Sequence, residues 1–192
     1  MYSWIKYSFL ALIMGALPLH AGDVGVYQKY LDTLKTMQGQ FVQTNPDGST
    51  QQGRIYLSRP GKLRLDYLDA PHQQLMADGT WIIFYDHESD EVNYTQIEDS
   101  PAYFLLKEDF DLSKDTYNLR LNEEAGVARI TFSLDSDSPD QTITLVFDQK
   151  PLKLKQWVVR DVSNRETHVL LADTTSNTPI EDAIFVFKKE KF

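Results

Sequence analysis

The chain has no cysteine, few histidines and a shortage of cations, and each lack removes a class of function. Without a thiol there is no disulfide scaffold, no cysteine nucleophile and no lipid anchor on an N-terminal cysteine. Four histidines among 192 residues, with no His-Glu-x-x-His and no Gly-x-Ser-x-Gly, leave little for metal-assisted or nucleophilic hydrolysis. Lysines and arginines number 19 against 28 acids, with no basic stripe, so the chain repels phosphate-rich partners and nucleic acid is set aside.

The one sizeable apolar run, Tyr7 to Leu19, is too short to span a bilayer comfortably. With Lys6 ahead of it and Leu19-His20-Ala21 behind, it has the shape of a secretory signal cut after Ala21. Residues 1–21 are therefore expected to be removed, leaving 22–192 as one domain. Lys6 departs with the signal, so 18 cations face 28 acids and the net charge becomes −10. A chain of that size buries about 70% of its unfolded surface without staples. Export without an anchor places it, as an expectation, in solution beyond the inner membrane.

What the chain does have is alternation. "DVGVYQKYLDTLKTMQGQF" opens the expected mature protein; Asp23 can cap it, and Val24, Tyr27, Leu31, Leu34 and Met37 follow helical spacing. Beyond Gly39 the pattern is of strands, near 40–44, 50–58, 62–68, 73–77, 80–86 and 91–96, separated by turn residues such as Asn45-Pro46-Asp47-Gly48 and Pro60-Gly61. A second series runs through Tyr117-Leu121, Ile130-Leu134, Ile143-Phe147, Leu152-Val158, Val169-Leu171 and Phe185-Phe187. Most alternate apolar with polar, as an antiparallel sheet with one wet face does. "TWIIFYD" is apolar at both parities, which predicts cover on both sides. Between the series, Ser100-Pro101 reads as a cap and first turn for a short helix Ala102–Leu106, with a second expected over Glu108–Asp115. About eleven antiparallel strands with so little helix point to a mainly β (α+β) fold, one large and strongly curved sheet. Its concave apolar face must close on itself or be plugged by the helices, and that geometry creates a cavity.

Candidate chemistry is sparse. His72 and His168 read as surface residues, and His87 lies in "DHESDE", an oxygen-rich stretch lacking the glycine and ligand ladder of a calcium loop. "DSDSPD", Asp135 to Asp140, reads as another hairpin. Paired carboxylates for glycoside hydrolysis cannot be picked out by spacing among so many acids. The informative residue is Arg59. In "GRIYLSRPGKLRLDY", counting by twos from Gly53 gives Ile55, Leu57 and then Arg59, so a guanidinium ends an apolar row. Two readings stand: the side chain snorkels off the strand end, or its five-donor fork serves the unsatisfied carbonyls at the end of a helix covering the cavity.

The segments "MQGQFVQT", "QQGRIYLSRPGKLRLDY", "QQLMADGTWIIFYD" and "SPAYFLL" together resemble the LolA family, periplasmic carriers of outer-membrane lipoproteins. The likeness is densest from Leu31 to Leu106 and continues as strand pattern to Phe187. It implies an incomplete antiparallel barrel of eleven strands with three helices as a lid over a hydrophobic cavity. It also implies that Arg59 latches the lid and that Ile55, Leu57, Leu63, Leu65, Trp81 and Ile83 line the acyl-chain cavity. Pro101, Phe104, Leu105 and Leu106 are implied as the lid helix. Leu63 stands where the family has an aromatic, and "FVFKKEKF" ends earlier than the family's Pro- and Gly-containing tail, which helps retain cargo. The implied partners are acylated lipoproteins, an inner-membrane lipoprotein-releasing ABC transporter and, where one exists, an outer-membrane acceptor. The carrier is expected to be a monomer without cofactor or catalysis. The alternatives are an envelope lipid or lipoprotein sensor of the same fold, an envelope hydrolase using scattered carboxylates, or an inert structural β-protein.

Overall fold

Alternating apolar and polar residues beyond Thr36 pair into a single antiparallel sheet of 11 strands in the computed structural model, which describes residues 23–69 and 73–187. One helix, α1 (Gly25–Thr33), precedes the strands β1 (Thr36–Thr44), β2 (Thr50–Ser58), β3 (Lys62–Tyr67), β4 (Gln73–Asp78), β5 (Trp81–Asp86) and β6 (Glu91–Gln96). The short helix α2 (Tyr103–Leu106) then leads to β7 (Tyr117–Glu124), β8 (Val127–Ser133), β9 (Thr142–Gln149), β10 (Leu152–Arg160) and β11 (Glu166–Ser176). Two 3-10 turns, Ile97–Asp99 and Asp182–Phe185, complete the elements. The spatial order is β6-β5-β4-β3-β2-β1-β11-β10-β9-β8-β7, two meanders joined where β1 pairs with β11.

Because β6 and β7 are the two edges, the barrel is open between them. The chain leaving β6 must cross that opening to begin β7, so the crossing segment 97–116 lies where a lid has to be. Register fixes the inner wall. Met37, Leu57, Leu63, Ala77 and Ile82 face one another in turn across β1 to β5, and Ile55, Leu65, Leu75 and Phe84 form the next row. In the other half, Ile130, Leu145, Trp157 and Val169 form a row across β8 to β11. Ile55, Leu57, Ile130 and Leu145 are fully buried in this wall.

Several expectations meet corrections. The helix ends at Thr33, and Met37 belongs to β1 instead. There the Asn177 side chain accepts from the Lys35 N–H (2.8 Å) and β1 gains pairing partners on both sides, which outweighs three more helical residues. The N-cap position is Val24; Asp23 accepts only from the Gly25 N–H (2.8 Å). Residues 108–115 form turns, not a helix, because the Asp115 carboxylate binds the Asp111 N–H (2.8 Å) and Lys107 Nζ (2.5 Å) and ties the segment back on itself. Phe185 lies in a 3-10 turn, not a strand. That turn packs on the convex face, where Arg64 donates to the Ile184 carbonyl (2.9 Å) and Lys62 pairs with Asp182 (2.8 Å). It covers β3 and β4 there, and the Phe187 ring meets the buried Tyr85 edge-on at 5.5 Å, so β5 is covered on both faces, as its doubled apolar parity predicts. His72 lies outside the described residues.

Gly53 permits the tightest approach in this wall. A Cβ there would sit 2.2 Å from the Asp66 carbonyl oxygen and 2.7 Å from the Phe41 ring, which packs edge-on against Tyr67 at 5.3 Å. Gly53→Ala is expected to destabilise the fold by about 1–3 kcal/mol, the usual cost of overpacking, measured by urea unfolding. A loss below about 0.5 kcal/mol, within the range of neutral surface changes, would contradict the close packing described.

Candidate functional site

The concave wall is filled from the lid side. Phe104, Leu105 and Leu106 of α2 and Phe110 and Leu112 of the following turns are all at most 2% exposed, as are Tyr27 and Leu31 of α1. Phe104 meets Trp157 of β10 at 6.2 Å and Phe132 of β8 at 6.4 Å, and Phe110 meets Phe132 at 5.9 Å. The hydrocarbon interior is therefore occupied by side chains of the lid segment and of α1.

Arg59 ties this plug down. It follows β2 directly and points the way Ile55 and Leu57 point, as its parity requires. One guanidinium nitrogen donates to the Leu31 carbonyl and to Leu34 O (3.3 Å), at the end of α1. The other donates to Lys107 O (2.8 Å) and Glu108 O (3.4 Å), just past α2. A single planar fork thus serves carbonyls at the C-terminal ends of two helices, where the partial negative charge of each helix lies. The turn that follows also holds the lid, since the buried Gly61 N–H donates to Leu106 O (2.9 Å). Gly61 has φ +78°, and a Cβ on it would meet Gly79 Cα at 2.7 Å, so the Arg-Pro-Gly-Lys turn needs glycine at this point.

Burial pushes the Arg59 pKa down, while the charges of Asp32 and Asp109 push it up; the group remains a cation. Its Nε is buried without a hydrogen-bond partner, so one of the five donors of the fork is left unused. Two further ties hold α1 in place. Gln28 donates to Phe110 O (2.8 Å) and accepts from the Leu112 N–H (2.8 Å), joining α1 to the lid turns. The Tyr27 hydroxyl donates to Glu123 of β7 and accepts from Gln149 Nε2 of β9 (3.0 Å). Periodicity marked Tyr27 as apolar and passed over Gln28, because a polar residue on an amphipathic helix normally faces water.

The other residues singled out from the sequence separate into two groups. Ile55, Leu57, Leu63 and Leu65 lie together on the concave wall, and Phe104, Leu105 and Leu106 lie against it in α2. Pro101 lies just before that helix, where the Ala102 N–H donates to Ser100 Oγ (3.1 Å). Trp81 and Ile83 do not join them. Ile83 pairs with Met76, and Met76 with Arg64, a row belonging to the convex face. Trp81 shares its parity, is 37% exposed and stacks edge-on with Tyr94 at 6.3 Å. With β5 apolar on both faces, parity could not tell which row was inside. His168 lies on the convex row beside Gln156 and Glu166. Among the described residues no cluster of three or more histidines and acids is arranged for a metal ion.

Comparison with known proteins agrees with this architecture. The family described as "Outer membrane lipoprotein carrier protein LolA" matches residues 32–188. An outer-membrane lipoprotein carrier protein of Chromohalobacter salexigens is 28% identical over 93% of this chain and 91% of its own length. One from Nitrosospira multiformis is 30% identical over 62% of this chain and 61% of its own. Among solved structures, an uncharacterized conserved protein from Thermus thermophilus shares the fold with a TM-score of 0.54, at 8% identity over 85% of this chain and 93% of that one.

Within the wall, burial pushes the Tyr67 phenol up to about 12. An unfolded tyrosine ionises near 10. Between about pH 10 and 12 the unfolded chain therefore releases this proton while the folded chain keeps it, and stability falls as pH rises. Below about pH 10 both states hold the proton and Tyr67 adds no slope. The expected loss by pH 12 is about 2–3 kcal/mol, read by urea unfolding across that range. Tyr67→Phe should lack this contribution, and an equally steep fall in that variant would refute the assignment.

Proposed function

The chain belongs to the LolA family, and we propose that it is a periplasmic carrier that binds the acyl chains of lipoproteins released from the inner membrane and delivers them to the outer membrane. In this reading it binds and returns cargo unchanged and is not an enzyme. It takes acylated lipoproteins from an inner-membrane ABC transporter and hands them to an outer-membrane acceptor where one is present. No described helix is long and apolar enough to cross a membrane.

The observation that carries the proposal is the Arg59 fork holding two helix ends over a concave apolar wall. Burying acyl chain yields about 0.8 kcal/mol per CH₂, so one chain of about sixteen carbons contributes roughly 10 kcal/mol. A cavity standing empty would gain all of it and release nothing. Here the wall is already filled. Each lid side chain displaced into water costs about 1.5–3 kcal/mol, so exchanging the five buried lid residues for a chain comes close to balance. Breaking charge-assisted bonds from Arg59 adds about 1.5–3 kcal/mol for each one lost. Loading is then favourable only while a donor supplies cargo, and handing it on stays possible.

Arg59→Leu removes the bridge and keeps the apolar row. It is expected to bind a synthetic diacylated peptide at least tenfold more tightly than the wild type and to release it more slowly to acceptor membranes. Lipidated polypeptide on protein purified from a periplasm, counted by mass spectrometry, should rise in parallel. Unchanged affinity with normal handover would sink the latch.

A further inference from the structure

At the end of the concave wall away from Arg59, apolar residues give way to a chain of hydrogen-bonded amides. The Tyr67 hydroxyl donates to Gln43 Oε1 (3.2 Å), and Gln43 Nε2 donates to Asn45 Oδ1 (2.7 Å). Asn45 Nδ2 continues to Gln51 Oε1 (3.2 Å), Gln51 Nε2 to Gln73 Oε1 (3.3 Å), and Gln73 Nε2 to Asp86 Oδ2 (3.2 Å). Gln43, Gln51, Gln73 and Asp86 hold inner-wall positions, since they continue the rows of Phe41, Ile55, Leu75 and Phe84 by steps of two. The chain therefore crosses five strands on the concave side.

This is also the end at which the wall admits solvent. Leu75, Phe84 and Val159, on the inner rows that lead to this end, are only half-buried. A separate hollow of about 320 Å³ lies between Pro101 at the start of the lid and Leu134, Ile143 and Val159 of the sheet. An apolar wall thus ends in a polar rim at an opening.

The rim's chemistry selects its ligand. A glutamine side-chain nitrogen carries two N–H groups, and Gln43, Gln51 and Gln73 each spend one along the chain, leaving a second to offer. Uncharged donors suit uncharged acceptors. Among the described residues no lysine or arginine takes part in this chain of bonds, and its last acceptor, the Asp86 carboxylate, adds no positive charge for a phosphate or a free fatty-acid anion. What fits is a neutral carbonyl attached to hydrocarbon.

We infer that the Gln43–Gln51–Gln73 rim binds the neutral ester or amide carbonyls that join acyl chains to a lipidated head, while the chains enter past Leu65, Phe84, Trp157 and Val169. This deepens the carrier proposal and rests on it. Two sources carry such carbonyls, an acylated protein N-terminus and a neutral glycerolipid.

The test compares the full chain with its Gln51→Leu/Gln73→Leu variant on three probes: a synthetic diacylated cysteinyl peptide, a diacylglycerol with the same chains, and N-phenyl-1-naphthylamine, which is apolar and has no carbonyl. The variant is expected to bind the peptide at least tenfold more weakly and the naphthylamine unchanged. The ester carbonyl stretch of bound peptide should lie at lower frequency in the wild type than in the variant. If diacylglycerol weakens equally, glyceryl esters are what is recognised; if the peptide alone weakens, the acylated N-terminus is. Where the double variant fails to reach the wild-type unfolding midpoint, the single Gln51→Met variant makes the same comparison, with about threefold weakening expected. Peptide binding that survives in the variants, or naphthylamine binding that falls in step with it, overturns the rim while leaving the carrier reading intact. A wild-type protein that ignores the peptide altogether overturns both.

Discussion

A half-buried guanidinium among backbone carbonyls is the constraint on which the rest of this molecule depends. Arg59 reaches Leu31 and Leu34 on one side and Lys107 and Glu108 on the other, so a strand end, the first helix and the lid are held by one rigid fork. A lysine would deliver its charge to one point; only a planar five-donor group reaches two helix ends together. The charge is tolerated away from water because those carbonyls carry the negative ends of the helices and because Asp32 and Asp109 lie nearby. The turn contributes twice, through the Arg59 side chain and through the Gly61 N–H on Leu106.

The lid itself follows from topology. A sheet with β6 and β7 as separate edges leaves one side open, and the connection between those edges has to pass over it. The composition of that connection decides what it does there. Phe104, Leu105, Leu106, Phe110 and Leu112 stand in for hydrocarbon, whereas Lys107, Asp111 and Asp115 fold the segment onto itself outside. Besides this apolar packing, the plug is tied at its margins by hydrogen bonds from Arg59 and Gly61 beside the sheet and from Gln28 of α1.

Strand existence and the apolar rows were legible in the sequence because period-2 alternation records burial directly. The wall positions Ile55, Leu57, Leu63 and Leu65 were readable for that reason, whereas Phe104 to Leu106 stood out as a dense apolar run after Ser100-Pro101 and took their lid role from the family resemblance. Trp81 and Ile83 were not, since β5 is apolar on both faces and only its register with β4 shows which row is inside. The helix end at Thr33 was hidden because Leu34 and Met37 satisfy helical spacing as well as they satisfy the sheet. Gln28, Gln43, Gln51 and Gln73 carried no signal at all, for a glutamine in a strand or on a helix face reads as solvent-exposed until its partners are known.

The sequence by itself determined the sheet, most of its strands, the apolar lid segment and a cation at the end of an inner row, because each rests on local periodicity or on a turn's covalent demands. The tertiary structure alone decided which carbonyls that cation meets, which face of β5 looks inward and how amides from β1, β2, β4 and the turn after β1 align into a rim. Those outcomes depend on register and curvature, which bring residues far apart in the chain within hydrogen-bonding distance, and no local pattern encodes that distance.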